Sequence, residues 1–512
     1  MSRTRALIDT NVLIALEDPG RTDPLAADFA RRCQKGGITI YIHPATKDDF
    51  DRDRNHLRRT ISTSRMEKFP CLSSIPLPAR TTLEGRYGPI RSQNDQVDVA
   101  LLHALSIDTV DVLVSQDAGL HQRVRATELE ERVLTLADAV SWLRALQDPV
   151  DDGLPLVEDV PAYSLDSSDP IFDSLKADYV GFASWWQTNC IGEHRDCWIV
   201  EGENGSIAGL VVRKKEMGVE LGLDQNQRLL KLCTFKVASQ SQGHKVGELL
   251  LRKALWHAQL NGFDLIYLTA FPKQTMLIGL LARYGFHVKG ENAAGELILT
   301  KTISREMLKP LEGTHLGELA RTEYPRFCLQ KPAMLYAVPV QWRYHRQLFP
   351  EAAQLTPLPL FDDRTLDDRD ALRIAGNTIR KVYVCRAQIG RLKSGDVLFF
   401  YQSKDRSAIN SQSITTVGVV EQARRAYDDR ELSRFTAGRS VFSEEDLKAL
   451  ADASPKGVTV IDFLLIRHLQ PTVSLDRLIQ TGVLSGPPQT ITSIPRSALP
   501  SLVPSMKFGF EL

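Results

Sequence analysis

The chain has 512 residues, too many for one hydrophobic core, and ordinary domain size predicts about three or four domains. With 43% hydrophobic and 25% charged residues a mostly disordered chain is excluded, and the balance of 63 Lys plus Arg against 63 Asp plus Glu excludes a strong overall field toward nucleic acid or membrane. Seven scattered cysteines, without a CxxC pair or a Cys/His quartet, exclude a zinc cage and fit reduced thiols in a cytoplasmic protein.

Met1 leads directly into a short strand, and no apolar run approaches membrane-spanning length, so the expectation is a chain neither exported nor membrane-spanning. Residues 1–147 alternate β-rich runs (Ala6–Ile8, Ile38–Ile42, Val112–Ser115) with amphipathic segments, which predicts an α/β domain on a parallel sheet. The first strand ends in Asp9, Thr10 and Asn11, and the strand Val112–Val114 runs through Ser115 and Gln116 into Asp117. Two carboxylates therefore stand at strand ends, where open α/β sheets keep their sites. Asp95 and Asp98 open a helix, and Asp49 lies on an earlier one. Such gathered like charges imply a divalent cation, and oxygen-only ligands favour Mg²⁺ or Mn²⁺, with phosphodiester hydrolysis as the chemistry. The plainer alternative makes Asp9, Asp95 and Asp117 helix N-caps. His103 and His121 are read as structural.

The segments LIDTNVLIAL, NDQVDVALLHAL and VLVSQDAGLH resemble the PIN-domain nucleases. The resemblance implies Asp9, Asp98 and Asp117 as catalytic and metal-binding, Asp95 as a further ligand, and Asp49 where the family carries a glutamate.

Residues 148–161, rich in Asp and Pro, read as a linker. From 162 to 305 a second α/β module is predicted, with a strand at Leu230–Val237, a helix at Val246–Leu260, a strand at Leu265–Thr269 and a helix ending near Tyr284. Between the first strand and helix, Gln242, Gly243, His244, Lys245, Val246 and Gly247 form a turn whose backbone N–H groups suit a pyrophosphate. The run from Phe235 to the ARYGF ending at Phe286 resembles the GNAT family of N-acetyltransferases, which implies acetyl-CoA held on this turn. Lys245 stands where the family has a glycine, and the family's tyrosine acid falls on Leu281, with Tyr284 nearby. Glu193, Glu220 and His257 are candidate bases, none singled out.

Residues 306–512 hold a connecting segment and then strands at Lys381–Cys385, Asp396–Tyr401, Thr415–Glu421 and Val458–Ile466, with a Lys-Ser-Gly-Asp turn read as a hairpin or barrel corner. The stretch NTIRKVYVCRAQIGRLKSGDVLFFYQSKDRSAINSQSITTVGVVE resembles PUA-like folds of the EVE and ASCH type, small β-barrels with helices, associated with RNA or modified bases. Tyr383, Phe399 and Tyr401 are candidate stacking residues, with Arg380, Lys381 and Arg386 for phosphate, unless the aromatics fill the core.

Together the resemblances imply a metal-dependent endoribonuclease acting on RNA such as tRNA, of toxin or stress-effector character, with an antitoxin partner, no membrane partner and homodimeric assembly. The alternatives are an N-acetyltransferase acting on tRNA or protein, with the first module as its RNA-binding part, and a non-catalytic CoA-sensing RNA-binding regulator.

Overall fold

The computed structural model describes residues 4–17, 23–46, 66–125, 127–147, 157–202, 205–238, 241, 245–310, 313–354, 378–387, 389–405, 411–436, 442, 444–503 and 508–511. Two compact units emerge: residues 1–150 with 426–457, and residues 151–425 with 458–512. Among the described residues no helix is long and apolar enough to cross a membrane.

Unit 1 is built on β1 (Arg5–Ile8), β2 (Thr39–Tyr41), β3 (Val112–Val114) and β4 (Val133–Leu134), all parallel, in the order β2-β1-β3-β4. Ala6, Leu7, Ile8 and Val112 to Val114 are fully buried, as expected of strands covered on both faces. Helices α1 (Thr10–Glu17), α2 (Pro24–Lys35), α3 (Arg80–Tyr87), α4 (Gln93–Ser106), α5 (Ala118–Arg123) and α6 (Leu136–Gln147) complete the chain's first part. Connections leave in opposite directions from β1 and β3, so the carboxyl ends of these two strands open a crevice.

Unit 2 starts inside the expected linker. Val157–Pro161 forms β5, an edge strand antiparallel to β6 (Asp196–Glu201), where Pro161 is tolerated because an edge needs no donor on its outer side. With β7 (Ile207–Met217), β8 (Arg228–Val237), β9 (Leu265–Ala270), β10 (His287–Glu291) and β11 (Leu297–Thr302) it makes a seven-stranded sheet ordered β10-β11-β9-β8-β7-β6-β5. Helix α7 (Val246–Leu260) joins β8 to β9, their only parallel neighbour pair being the crossover that it spans, and α8 (Thr275–Arg283) follows. Then come α9 (Leu316–Thr322), β12 (Leu335–Val340), α10 (Trp342–Leu348), β13 (Arg380–Cys385), β14 (Val397–Gln402), β15 (Ser413–Ala426), α11 (Asp429–Thr436), α12 (Glu444–Asp452), β16 (Val458–Ser474) and β17 (Thr492–Ser493).

Where a barrel is expected, these last strands form a six-stranded mixed sheet ordered β13-β16-β15-β14-β12-β17. The Lys-Ser-Gly-Asp turn is not a hairpin, because β13 and β14 are not neighbours. Asp396 instead accepts bonds from the N–H groups of Lys393 and Met334, both 2.8 Å, and so pins the start of β14 beside β12.

The two sheets of unit 2 share one hydrophobic core. It runs from Trp198, Leu230 and Ile266 through Leu249, Leu250, Ala254 and Leu255 of α7 to Phe399, Val417 and Leu464. Helix α7 is buried nearly all round, which suits a helix inside a core rather than on a surface. Its polar residues are matched individually. Glu248 accepts from the Arg380 N–H at 2.8 Å, Arg252 pairs with Glu351, and Trp256 donates to the Tyr324 hydroxyl at 2.8 Å.

Helix α11, on the segment between β15 and β16, belongs to unit 1. Arg430 meets Asp111 at 2.8 Å and Arg434 meets Asp108 at 2.8 Å.

Candidate functional site

In unit 1 the fold brings Asp9, Asp98 and Asp117 together, near enough that the charges of Asp9 and Asp117 both bear on Asp98. Asp9 follows β1 and is 5% exposed. It accepts bonds from Ser115 Oγ (2.6 Å), the Thr10 N–H (2.6 Å) and Asn11 Nδ2 (2.7 Å). Burial pushes its carboxyl up despite those bonds. Asp98 is pushed up to about 7, by burial first and then by the Asp117 and Asp9 charges, against the Arg123 guanidinium 3.6 Å away.

Asp117 caps α5, its Oδ1 accepting from the N–H groups of Gly119 (2.6 Å) and Leu120 (3.0 Å). Asp95 closes a capping box with Ser92 at the start of α4 and pairs with Arg123. The Arg91 N–H, then Ser92 and Arg123, hold its carboxyl at about 2. His121 Nε2 sits 2.8 Å from the Ser115 carbonyl, and His103 is buried on α4. Asp49 lies outside the described residues.

This donor set does not fit Mg²⁺ or Mn²⁺ as it stands. Among the described residues no three His, Cys, Asp or Glu side chains are grouped to hold a metal ion, and Arg123 already supplies a positive charge to Asp95 and Asp98. Arg123 has no sequence signature, since its role arises only from where the short helix α5 ends.

In unit 2 the strands β8 and β9 pair only at Leu229–Leu265, Leu230–Ile266 and Lys231–Tyr267 and then part, leaving a wedge. Past that point, β8 slips register with β7, so that Cys233 has no cross-strand partner. This is a β-bulge in the wedge wall. A cavity of about 400 Å³ fills the mouth, lined by Phe235 and Leu268 from the strands, Leu277 from α8, and Phe182 and Trp185 from the helical segment that precedes β6.

Helix α7 begins at the far end of β8. Lys245 caps it in a left-handed conformation (φ 61°) without a side-chain capping bond, and a Cβ on Gly247 would come 3.3 Å from Leu280. A lysine holding a conformation that favours glycine is strained, the kind of strain that collects at binding sites. Gln242, Gly243 and His244 lie outside the described residues, whereas Lys245, Val246 and Gly247 form the start of α7.

None of the three candidate bases lines the cavity. Glu193 is tied to Arg195 (2.9 Å), and Glu220 is exposed. His257 packs on Trp198 at 5.1 Å between ring centroids, and burial, ahead of the Arg213 charge, holds it down to about 4. Leu281 and Tyr284 are both fully buried, Tyr284 against Tyr324. The sequence reading missed Glu216 and Tyr267: the Tyr267 hydroxyl donates to Glu216, which lines the cavity floor with Lys214 and Lys231 each 3.6 Å away.

The third group of candidates is core. Phe399 and Tyr401 are almost wholly buried and Tyr383 nearly so, so the aromatics fill the interior and present no stacking face. Arg380 pairs with Glu421, and Lys381 donates to the Leu348 carbonyl at 2.6 Å. Of the three basic candidates only Arg386 is exposed.

No protein-family model matches the chain, and no curated protein matches it. Parts of it are similar to solved structures. A nourseothricin acetyltransferase is 22% identical over 22% of this chain and 66% of that one, just under two thirds, with TM-score 0.19. An IAA acetyltransferase from Bacillus cereus is 16% identical over 29% of this chain and 98% of that one (TM-score 0.22). An ASCH protein from Zymomonas mobilis is 13% identical over 33% of this chain and 94% of that one (TM-score 0.24).

Proposed function

We propose that unit 2 is an N-acyltransferase that binds an acyl-CoA along the wedge between β8 and β9 and acylates an amine in the cavity at its mouth. The parting of β8 from β9 after Lys231 carries this reading, because it leaves strand-edge polar groups that a linear amide-bearing ligand can satisfy as an added strand would. The α7 start fits the phosphate end. It offers N–H groups of a first helical turn without a side-chain cap, beside the charge of Lys245. A thioester bound there supplies an electrophilic acyl carbon and a thiol leaving group. Cys233, the bulged residue, lines the cavity, and a backbone N–H of the bulge is the donor that would stabilise charge developing on the acyl oxygen. Phe182, Trp185 and Leu277 keep water from the reacting atoms.

Calorimetric titration with CoA and acetyl-CoA tests this reading. One site per chain is expected, weakened about tenfold by Lys245→Glu through repulsion of the phosphates. Absence of heat at millimolar CoA would sink it.

A second reading concerns unit 1, favoured by the convergence of Asp9, Asp98 and Asp117 at the carboxyl edge of the parallel sheet. It is hydrolysis of phosphodiesters in RNA. The expected outcome is cleavage of labelled single-stranded RNA that is lost in Asp98→Asn. Intact RNA with the parent protein, with and without added divalent ion, removes the reading.

A further inference from the structure

Lys214 and Lys231 lie directly opposite each other on β7 and β8, and both line the cavity. Like charges so placed cost stability, and a fold tolerates them where they are used. Among the described residues Glu216 is the carboxylate in ion-pair contact with both, and the Glu193 charge bears on Lys214 from farther off. Glu216 is 3.6 Å from each ammonium and already accepts the Tyr267 hydroxyl. Lys236 also lines the cavity. The other charges there are largely met, since Arg195 is held by Glu193, and Glu296 takes bonds from Tyr179 (3.4 Å) and Asn292 (2.8 Å). The floor therefore carries excess positive charge, while Phe182, Trp185 and Leu277 make its walls apolar.

The phosphates of an acyl-CoA do not account for the Lys214–Lys231 pair, whereas Lys236, next to Val237, stands at the phosphate end. Lys231 is where β8 and β9 part, whereas α7 starts beyond Val237, six residues along the strand or about 20 Å. The lysine pair sits at the acceptor end.

We propose that the acceptor is a free α-amino acid with a large apolar side chain, its carboxylate held by Lys214 and Lys231 and its side chain by the apolar walls. This rests on acyl transfer in the wedge. The α-ammonium group first gives one proton to solvent; the neutral amine then attacks the thioester carbonyl, the C–S bond breaks, and the amine's second proton ends on the departing thiolate, so the products are the N-acyl amino acid and the free thiol. Polycationic amines are repelled by the same floor.

The test compares acetyl-CoA turnover with phenylalanine, phenylalaninamide and spermidine, alongside calorimetry with CoA. Phenylalanine is expected to exceed both other amines about tenfold or more in kcat/KM, and Lys214→Met to erase its advantage over the amide mainly through KM, with Lys214→Arg restoring it. Equal use of the amide, preference for spermidine, or CoA binding without transfer to the amino acid overturns the acceptor assignment. Absence of CoA binding overturns the acyltransferase reading beneath it, and the calorimetry distinguishes the two failures.

Discussion

Asp98 has an ordinary value of 3.8 and is pushed up to about 7 in folded unit 1. The folded state thus keeps its proton to a higher pH than the unfolded chain does. Ionisation favours unfolding from pH 3.8 upward, and the penalty grows until pH passes about 7. Asp98→Asn is never ionised and escapes it. Urea unfolding should show the variant's stability advantage over the parent to be larger at pH 8 than at pH 5, by about 2 kcal/mol. An advantage independent of pH would mean that Asp98 is neither buried nor crowded by Asp117 and Asp9 as the structure has it. The acidic residues were legible because each follows a strand or opens a helix, positions that hydrophobic patterning locates. Arg123 was not, since a counter-charge supplied from the end of a six-residue helix leaves no period to read. Composition cannot separate an aromatic that stacks on a ligand from one that fills a core. Tyr383, Phe399 and Tyr401 turned out to be the second kind.

At the scale of elements, the sequence pattern places α7 at its observed ends and β8, β9, β13 and β14 within a residue or two, because apolar runs bounded by polar turns fix both kinds of element, whereas β15 and β16 run five and eight residues past their expected ends into polar sequence. Strand order and the wedge were beyond the sequence, since which strands pair, and where pairing stops, depends on contacts far apart in the chain. Helix α7 also has a second function: one side supports the wedge sheet and the other the six-stranded sheet. Arg252 reaches across to Glu351. Burial works to raise that carboxyl, and the Arg252 charge, ahead of the neighbouring His468 side chain, overcomes it and holds it well below the usual carboxylate range. Arg252→Met would leave the part-buried Glu351 without its main partner, at a cost of about 3 kcal/mol. Guanidinium unfolding followed by the fluorescence of unit 2 should show a single transition shifted by that amount, partly recovered when Glu351→Gln is added. Two separate transitions, or no shift, would refute a shared core.

At the scale of the molecule, the sequence reading expected modules that follow one another, and this holds for neither unit. The segment from 306 onward merges into the core of the second module, and its excursion at 426–457 belongs to the first unit. Nothing in composition marks that excursion. Its anchoring rests on Arg430 and Arg434 meeting Asp111 and Asp108, and Asp108 also meets Arg132 at 2.9 Å. The excursion also sets a timetable for synthesis. At bacterial or eukaryotic elongation rates of roughly 5–20 residues per second, the ribosome takes about 15–60 s to go from the end of the first stretch to Gly457. For that interval the nascent amino-terminal sheet carries Asp108 and Asp111 without their late-arriving arginines. The sheet of unit 1 is therefore translated well before the segment that completes its salt bridges.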